Sequence, residues 1–245
     1  MSLVLAAILI MTLSLIGGLL SLGNIGKYLT SKLDYLVSAA AGTFVFLIYH
    51  LAVESMESLG NSTGLLFILT SFIASWILFK FIPFFHHHHS GNDHSHNKGE
   101  GRKILVADGV HNIADGVLLT LAFGVSITFG WITAIGILLH ESIQGISNFF
   151  VLKRSGYTTS KALLLNFCVS STIFIGIILT NILNRLDISG YLLAIASGIF
   201  LSVVIQDLIP DTIRNAKKPG KLLPYITSFA FGILVMFLIG QLIGH

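Results

Sequence analysis

Two hexapeptides set in apolar surroundings carry the chemistry of this chain. His111-Asn112-Ile113-Ala114-Asp115-Gly116 and His140-Glu141-Ser142-Ile143-Gln144-Gly145 share the form H-[N/E]-x-x-[D/Q]-G. On a helix successive residues advance ~100°, so the fourth residue after each His lies about 40° round from it and the next-door residue about 100° round. Asp115 therefore falls between His111 and Asn112, and Gln144 between His140 and Glu141. Each segment offers a strip of three polar donors, one turn deep. Two such strips placed face to face can hold one ion, or two neighbouring ions that share the middle residues. Gly116 and Gly145 are expected to assist, because small residues let membrane helices approach closely. Asp108 lies seven residues before Asp115 and extends the polar track along the same face. Imidazole, carboxylate and amide oxygen together suit Zn²⁺, and also Fe²⁺, Mn²⁺, Co²⁺ or Ni²⁺. No thiolate accompanies them, which argues against Cu⁺, and the imidazoles argue against Ca²⁺ with its preference for six or more oxygens.

More ionisable residues sit in apolar stretches. Asp108, Asp115, Glu141 and Asp207 are deep, Glu54 and Asp211 lie near helix ends, and no Lys or Arg accompanies the four deep acids. Each acid at mid-bilayer costs ~2.5–3.5 kcal/mol on insertion scales, about 10 kcal/mol for four. An internal salt bridge cannot offset that cost, so protonation or a cation from outside the chain remains. His50, His111 and His140 lie at similar depth, and His beside carboxylate is a transition-metal ligand set. A further six of the ten His (His86, His87, His88, His89, His94 and His96) crowd one polar stretch. Short tracts of this kind bind metal weakly and adaptably.

The elements that must position these residues follow from composition. The 245 residues are 54% hydrophobic and only 10% charged, with a mean hydropathy of +0.87. A soluble domain carries about 25% charge, so water is not the main solvent here. Continuous apolar runs exclude a β-barrel. Eight spans of about 20 residues are expected, over 2–22, 34–53, 64–85, 104–124, 130–152, 161–183, 188–209 and 223–243. They leave no room for a separate domain of ~100 residues, so one transmembrane domain over 1–245 is expected. The first span lacks the basic n-region and cleavage site of a signal peptide and reads as a helix. With both ends outside, thirteen of the 14 Lys and Arg fall on inner loops, and only Arg185 falls outside. That asymmetry predicts an N-out, C-out protein. It also explains the pI near 9 without a nucleic-acid partner. The stretch 86–103 is expected as a disordered, His-rich cytoplasmic loop. The lone Cys168 allows no intrachain disulfide.

These residues resemble the ZIP (Zrt/Irt-like) family of divalent-metal transporters. The resemblance rests on Asp108 to Gly116, on His140 to Gln144, and on Lys161-Ala162-Leu163-Leu164-Leu165-Asn166-Phe167. It is extended by Ala196-Ser197-Gly198 with Gln206 to Asp211, and by Gly42-Thr43-Phe44 with His50-Leu51. It implies an all-α membrane protein of eight helices that carries Zn²⁺ into the cytosol across the plasma (inner) membrane, with a site between helices four and five. Fe²⁺, Mn²⁺, Co²⁺ and Cd²⁺ are left as further cargoes, and pairing of two copies in the bilayer is left open. By motif position His111, Asp115, His140 and Gln144 line a first metal position. Asn112 and Glu141 belong to a second. His50, Glu54, Asp108, Asp207 and Asp211 lie on the pathway. The family's alternating access implies that helices one, four, five and six move against two, three, seven and eight. The fifth-helix pattern HEIP[HQ]E-x-GD is altered here: Ile143 stands for the proline, Gly145 for the second acid, Ser147 for the glycine and Asn148 for the aspartate. One tight metal position and a weaker second one are therefore expected.

Three other readings are weaker. An intramembrane metalloprotease would need a second His at 144, where Gln stands. A cation-efflux antiporter would need a soluble C-terminal domain that the length excludes. A membrane metal sensor that transports nothing stays open.

Overall fold

The computed structural model describes residues 1–20, 24–81, 98–183 and 188–243. Its elements are α1 (Ser2–Leu20), α2 (Asn24–Leu59), α3 (Asn61–Phe81), α4 (Lys98–Val125), α5 (Ile127–Arg154), α6 (Thr159–Ser170), α7 (Ile173–Leu183), α8 (Ser189–Val203), a π-helical turn (Val204–Leu208), α9 (Ile209–Ala216) and α10 (Leu222–Ile243). No strand occurs among the described residues. Among the described residues seven spans are long and apolar enough to cross a bilayer, and α1 adds a shorter apolar stretch, Ser2–Ile16.

Helix boundaries follow local chemistry. Ser126 caps α5 by accepting from the Phe129 amide at 3.0 Å, which satisfies one of the donors left open at a helix start. Gly156, at φ +85°, closes the turn after α5 in a conformation other residues rarely adopt. The sixth predicted span is broken at Ser171 and Thr172. The Ser171 hydroxyl donates to the Cys168 carbonyl at 2.6 Å, and Thr172 donates to Val169 at 2.8 Å and to Gly109 of α4 at 2.9 Å. Hydroxyls bonded back onto the preceding turn compete with the helix ladder. α4 begins at Lys98, inside the stretch 86–103 expected as loop. There Gly101 is buried so closely against Ser155 and Tyr157 that a Cβ would lie 2.9 Å from the Tyr157 ring. The His tract at 86–96 lies outside the described residues.

The helices pack in two groups. α1, α4, α5, α6 and α7 contact one another closely, as do α2, α3, α8, α9 and α10. Close approach depends on glycine: a Cβ at Gly116 would strike the Ile173 carbonyl oxygen of α7, and one at Gly232 the Ala39 carbonyl oxygen of α2. An apolar layer joins the groups. It is formed by Phe44, Leu47 and Leu51 of α2, Leu118, Leu119 and Ala122 of α4, Ile137 of α5, Phe200 of α8 and Met236 of α10, all buried.

Candidate metal centre

His111 and His140 are each the fourteenth of 28 residues in their helices, so they meet halfway along α4 and α5. Their Nε2 atoms lie 2.9 Å apart. A single proton can bridge two ring nitrogens, so at least one ring presents a bare nitrogen to the other. At Zn–N distances of ~2.0–2.1 Å, two donors this far apart subtend about 90° at an ion. Glu141 completes a cluster in which one donor atom from each of His111, His140 and Glu141 lies within 4.8 Å of the others. Asp115 Oδ2 is 3.8 Å from His111 Nε2.

The surroundings make these donors costly to bury without a partner. Asp115 is fully buried and Glu141 is 1% exposed. Both Asp115 oxygens, Glu141 Oε1 and Asn112 Oδ1 are enclosed without a hydrogen-bond donor. An unpaired buried polar atom is strongly unfavourable, and a buried carboxylate more so. The chain supplies no lysine or arginine between Ile104 and Leu152. An orphaned set of oxygens beside facing imidazoles suits a divalent transition-metal ion.

Neighbouring residues orient the set. The Gln144 amide donates to Asp108 Oδ1, which turns its carbonyl oxygen away from Asp108. The Asn112 amide donates to the Asp108 carbonyl at 3.0 Å and more weakly to its carboxylate at 3.4 Å. Asp108, itself 3% exposed, thus holds one donor from each helix. Phe44 lays its ring edge-on against His140 at 5.1 Å and stacks on Phe200 at 5.7 Å. These aromatics cover the site from the other helix group.

Several sequence expectations land elsewhere. Neither Gly116 nor Gly145 lies in the α4–α5 seam. Gly116 admits α7, while a Cβ at Gly145 would sit 2.7 Å from Ser14 Oγ of α1 and 3.3 Å from Asn166 of α6. The space for a second acid at position 145 is thus filled by α1. Asn166 donates to the Gly145 carbonyl at 3.2 Å and Ser170 to Ser14 at 2.9 Å. Sequence spacing within one helix could not reveal these partners, which come from distant segments. Asn148 is buried one turn beyond Gln144. Despite Ile143 in place of proline, α5 runs unbroken. His50 and Glu54 are apart from the centre and line a separate pocket. Asp207 falls on the π-helical turn and Asp211 on α9, with side chains outside the description.

A bundle of apolar helices long enough to cross a bilayer, with a buried His/carboxylate cluster at its middle, belongs to the class of all-α integral membrane proteins. The pattern of the family described as ZIP Zinc transporter matches residues 101–240, which contain the whole centre, and the chain belongs to that family. Among its relatives are Zinc transporter foi of Drosophila melanogaster, 28% identical over 137 residues (56% of this chain, 19% of the relative). Zinc transporter ZIP10 of Homo sapiens is 26% identical over 143 residues (53% and 17%), and Zinc transporter zipt-7.1 of Caenorhabditis briggsae 26% over 148 (55% and 38%). The matched stretch spans less than two fifths of each of these relatives' own length.

Proposed function

We propose that this chain carries divalent transition metal, Zn²⁺ foremost, through the bilayer toward the lysine- and arginine-rich side, as one transport unit over 1–245. The observation that carries this reading is the meeting of His111, His140 and Glu141 halfway along two membrane helices, beside the orphaned carboxylate of Asp115. An ion there replaces the missing counter-charge. The relatives' names as zinc transporters support the choice of cargo. His111, His140 and Glu141, with Asp115 and the Gln144 carbonyl, hold the ion. Asn112 stands beside them, where a second ion would bind more weakly.

Release and uptake on opposite sides require the centre to change its exposure. The packing into two groups supports a movement of α1, α4, α5, α6 and α7 against α2, α3, α8 and α10, with the apolar layer around Phe44 as the sliding surface. Proteoliposomes loaded with a metal-sensitive dye test the reading. Zn²⁺ added outside should raise the signal above that of empty vesicles. Metal binding by the purified protein without any such signal would favour a sensor instead.

A further inference from the structure

Where α2 enters its apolar run and α10 begins, two tyrosines gather two lysines. The rings of Tyr35 and Tyr225 pack with their centroids 4.7 Å apart. The ammonium groups of Lys32 and Lys221 each lie 5.7 Å from the centre of the Tyr35 ring. Such a distance lets the negative face of the ring attract both. Lys221 also donates to Tyr35 Oη at 3.0 Å. That oxygen accepts from the lysine and keeps its own proton to give.

The backbone around the cluster is firmly held. Gly220, at φ +71°, turns the chain between α9 and α10, and the Lys221 amide donates to the Lys218 carbonyl at 3.0 Å. The Ser38 hydroxyl of α2 donates to the Tyr225 carbonyl at 2.9 Å, and Tyr225 Oη donates to Asp34 Oδ2 at 3.3 Å. Charge here is one-sided. The stretches 32–38 and 211–226 carry five cations, Lys32, Arg214, Lys217, Lys218 and Lys221, against two acids, Asp34 and Asp211. Lys32, Lys217, Lys218 and Lys221 are exposed.

Apolar surface follows at once. Leu222, Leu223 and Ile226, at the start of α10, are 60%, 70% and 54% exposed. On a membrane helix such a face meets acyl chains. Cations, phenol hydroxyl and bare leucine thus stand in the order in which an amphiphile presents phosphate and tails. Lysine clusters beside a membrane helix attract anionic headgroups.

We propose that this cluster binds an anionic phospholipid. Lys32 and Lys221 pair with its phosphate, the Tyr35 hydroxyl donates to the same group, and the acyl chains lie along Leu222, Leu223 and Ile226. α2 and α10 are already locked by Gly42 and Gly232, where a Cβ would strike the Phe229 and Ala39 carbonyl oxygens. The bound lipid therefore anchors a preassembled helix pair. The site is independent of the metal centre and of the transport reading.

Native mass spectrometry of the full chain in a non-ionic detergent tests the site. Phosphatidylglycerol should be retained severalfold better than phosphatidylcholine with the same acyl chains. Lys32→Gln with Lys221→Gln should abolish that preference, and Lys221→Arg should keep it. Lys153→Gln with Lys161→Gln, which removes equal charge from another loop, should also keep it. Should the double variant unfold, Lys32→Gln and Lys221→Gln singly decide by the same criterion. Equal retention of the two lipids, a preference untouched by Lys32→Gln with Lys221→Gln, or one lost equally with Lys153→Gln and Lys161→Gln would each overturn the proposal. Excess glycerol phosphate should leave phosphatidylglycerol bound. Its displacement would make the ligand a free phosphate ester and overturn the lipid assignment.

Discussion

Gln144 owes its usefulness to being neutral. A carboxylate at that position would face Asp108 across the helix seam with like charge, whereas the amide donates to Asp108 and keeps its own oxygen free. On the proposed reading Asp108 is accordingly a positioning residue, since it holds Gln144 and Asn112. Groups that orient metal ligands are worth roughly 10–100-fold in affinity. Asp108→Asn should lower Zn²⁺ affinity in that range, read by isothermal titration with His86, His87, His88, His89, His94 and His96 replaced by serine. His111→Ala and Asp115→Ala should weaken binding at least as much, and unchanged affinity in either would place the centre elsewhere. The repeated hexapeptide made the ligand types legible, because spacing along one helix fixes which side chains share a face. Phe44 over His140 and Ser14 against Gly145 were illegible, since no local rule says which distant helix covers a given turn.

Glycines sort the helices into neighbours. Gly116 lies so close to the Ile173 carbonyl of α7 that Gly116→Val must push the helices apart, at a cost of about 1–3 kcal/mol. Gly124 has open space where a Cβ would go. Gly124→Ala should be neutral or stabilising by up to about 1 kcal/mol. Thermal unfolding in detergent should therefore lower the midpoint for the first and not for the second. Gly145→Asp should also destabilise, and Ser14→Gly should recover part of the loss by vacating the contested space. The apolar runs located the helices well. Their ends were less legible. α2 extends through Leu59 beyond its apolar core, and the sixth span breaks where two hydroxyl residues, Ser171 and Thr172, bond back to the chain. Hydropathy records which residues tolerate lipid, and neither a back-bonded hydroxyl nor a helix that outruns the bilayer alters it much.

The two helix groups meet across an apolar layer, and the candidate metal centre belongs to α4 and α5 on one side of it. A covalent tie across that layer separates binding from movement. Gly136 of α5 lies close to Thr43 of α2: an added Cβ would fall 3.8 Å from Thr43 Oγ1, with the flexible end of Leu47 at 2.9 Å giving way, so the pair is a candidate for a cross-link between the groups. Thr43→Cys with Gly136→Cys, in the Cys168→Ser background, should stop Zn²⁺ uptake when oxidised, leave binding intact, and recover on reduction. Uptake that continues through the cross-link would exclude a sliding of one group against the other.

The placement of His111 and His140 at the midpoints of their helices has an electrical meaning. Moving one elementary charge through a full membrane potential is worth ~2.3 kcal/mol per 100 mV. On the proposed transport reading, a dication that reaches the centre from either face would cross about half the field, which again comes to about 2.3 kcal/mol per 100 mV. Entry and exit then share the voltage evenly, so a membrane potential would act on filling the centre and on emptying it with the same weight.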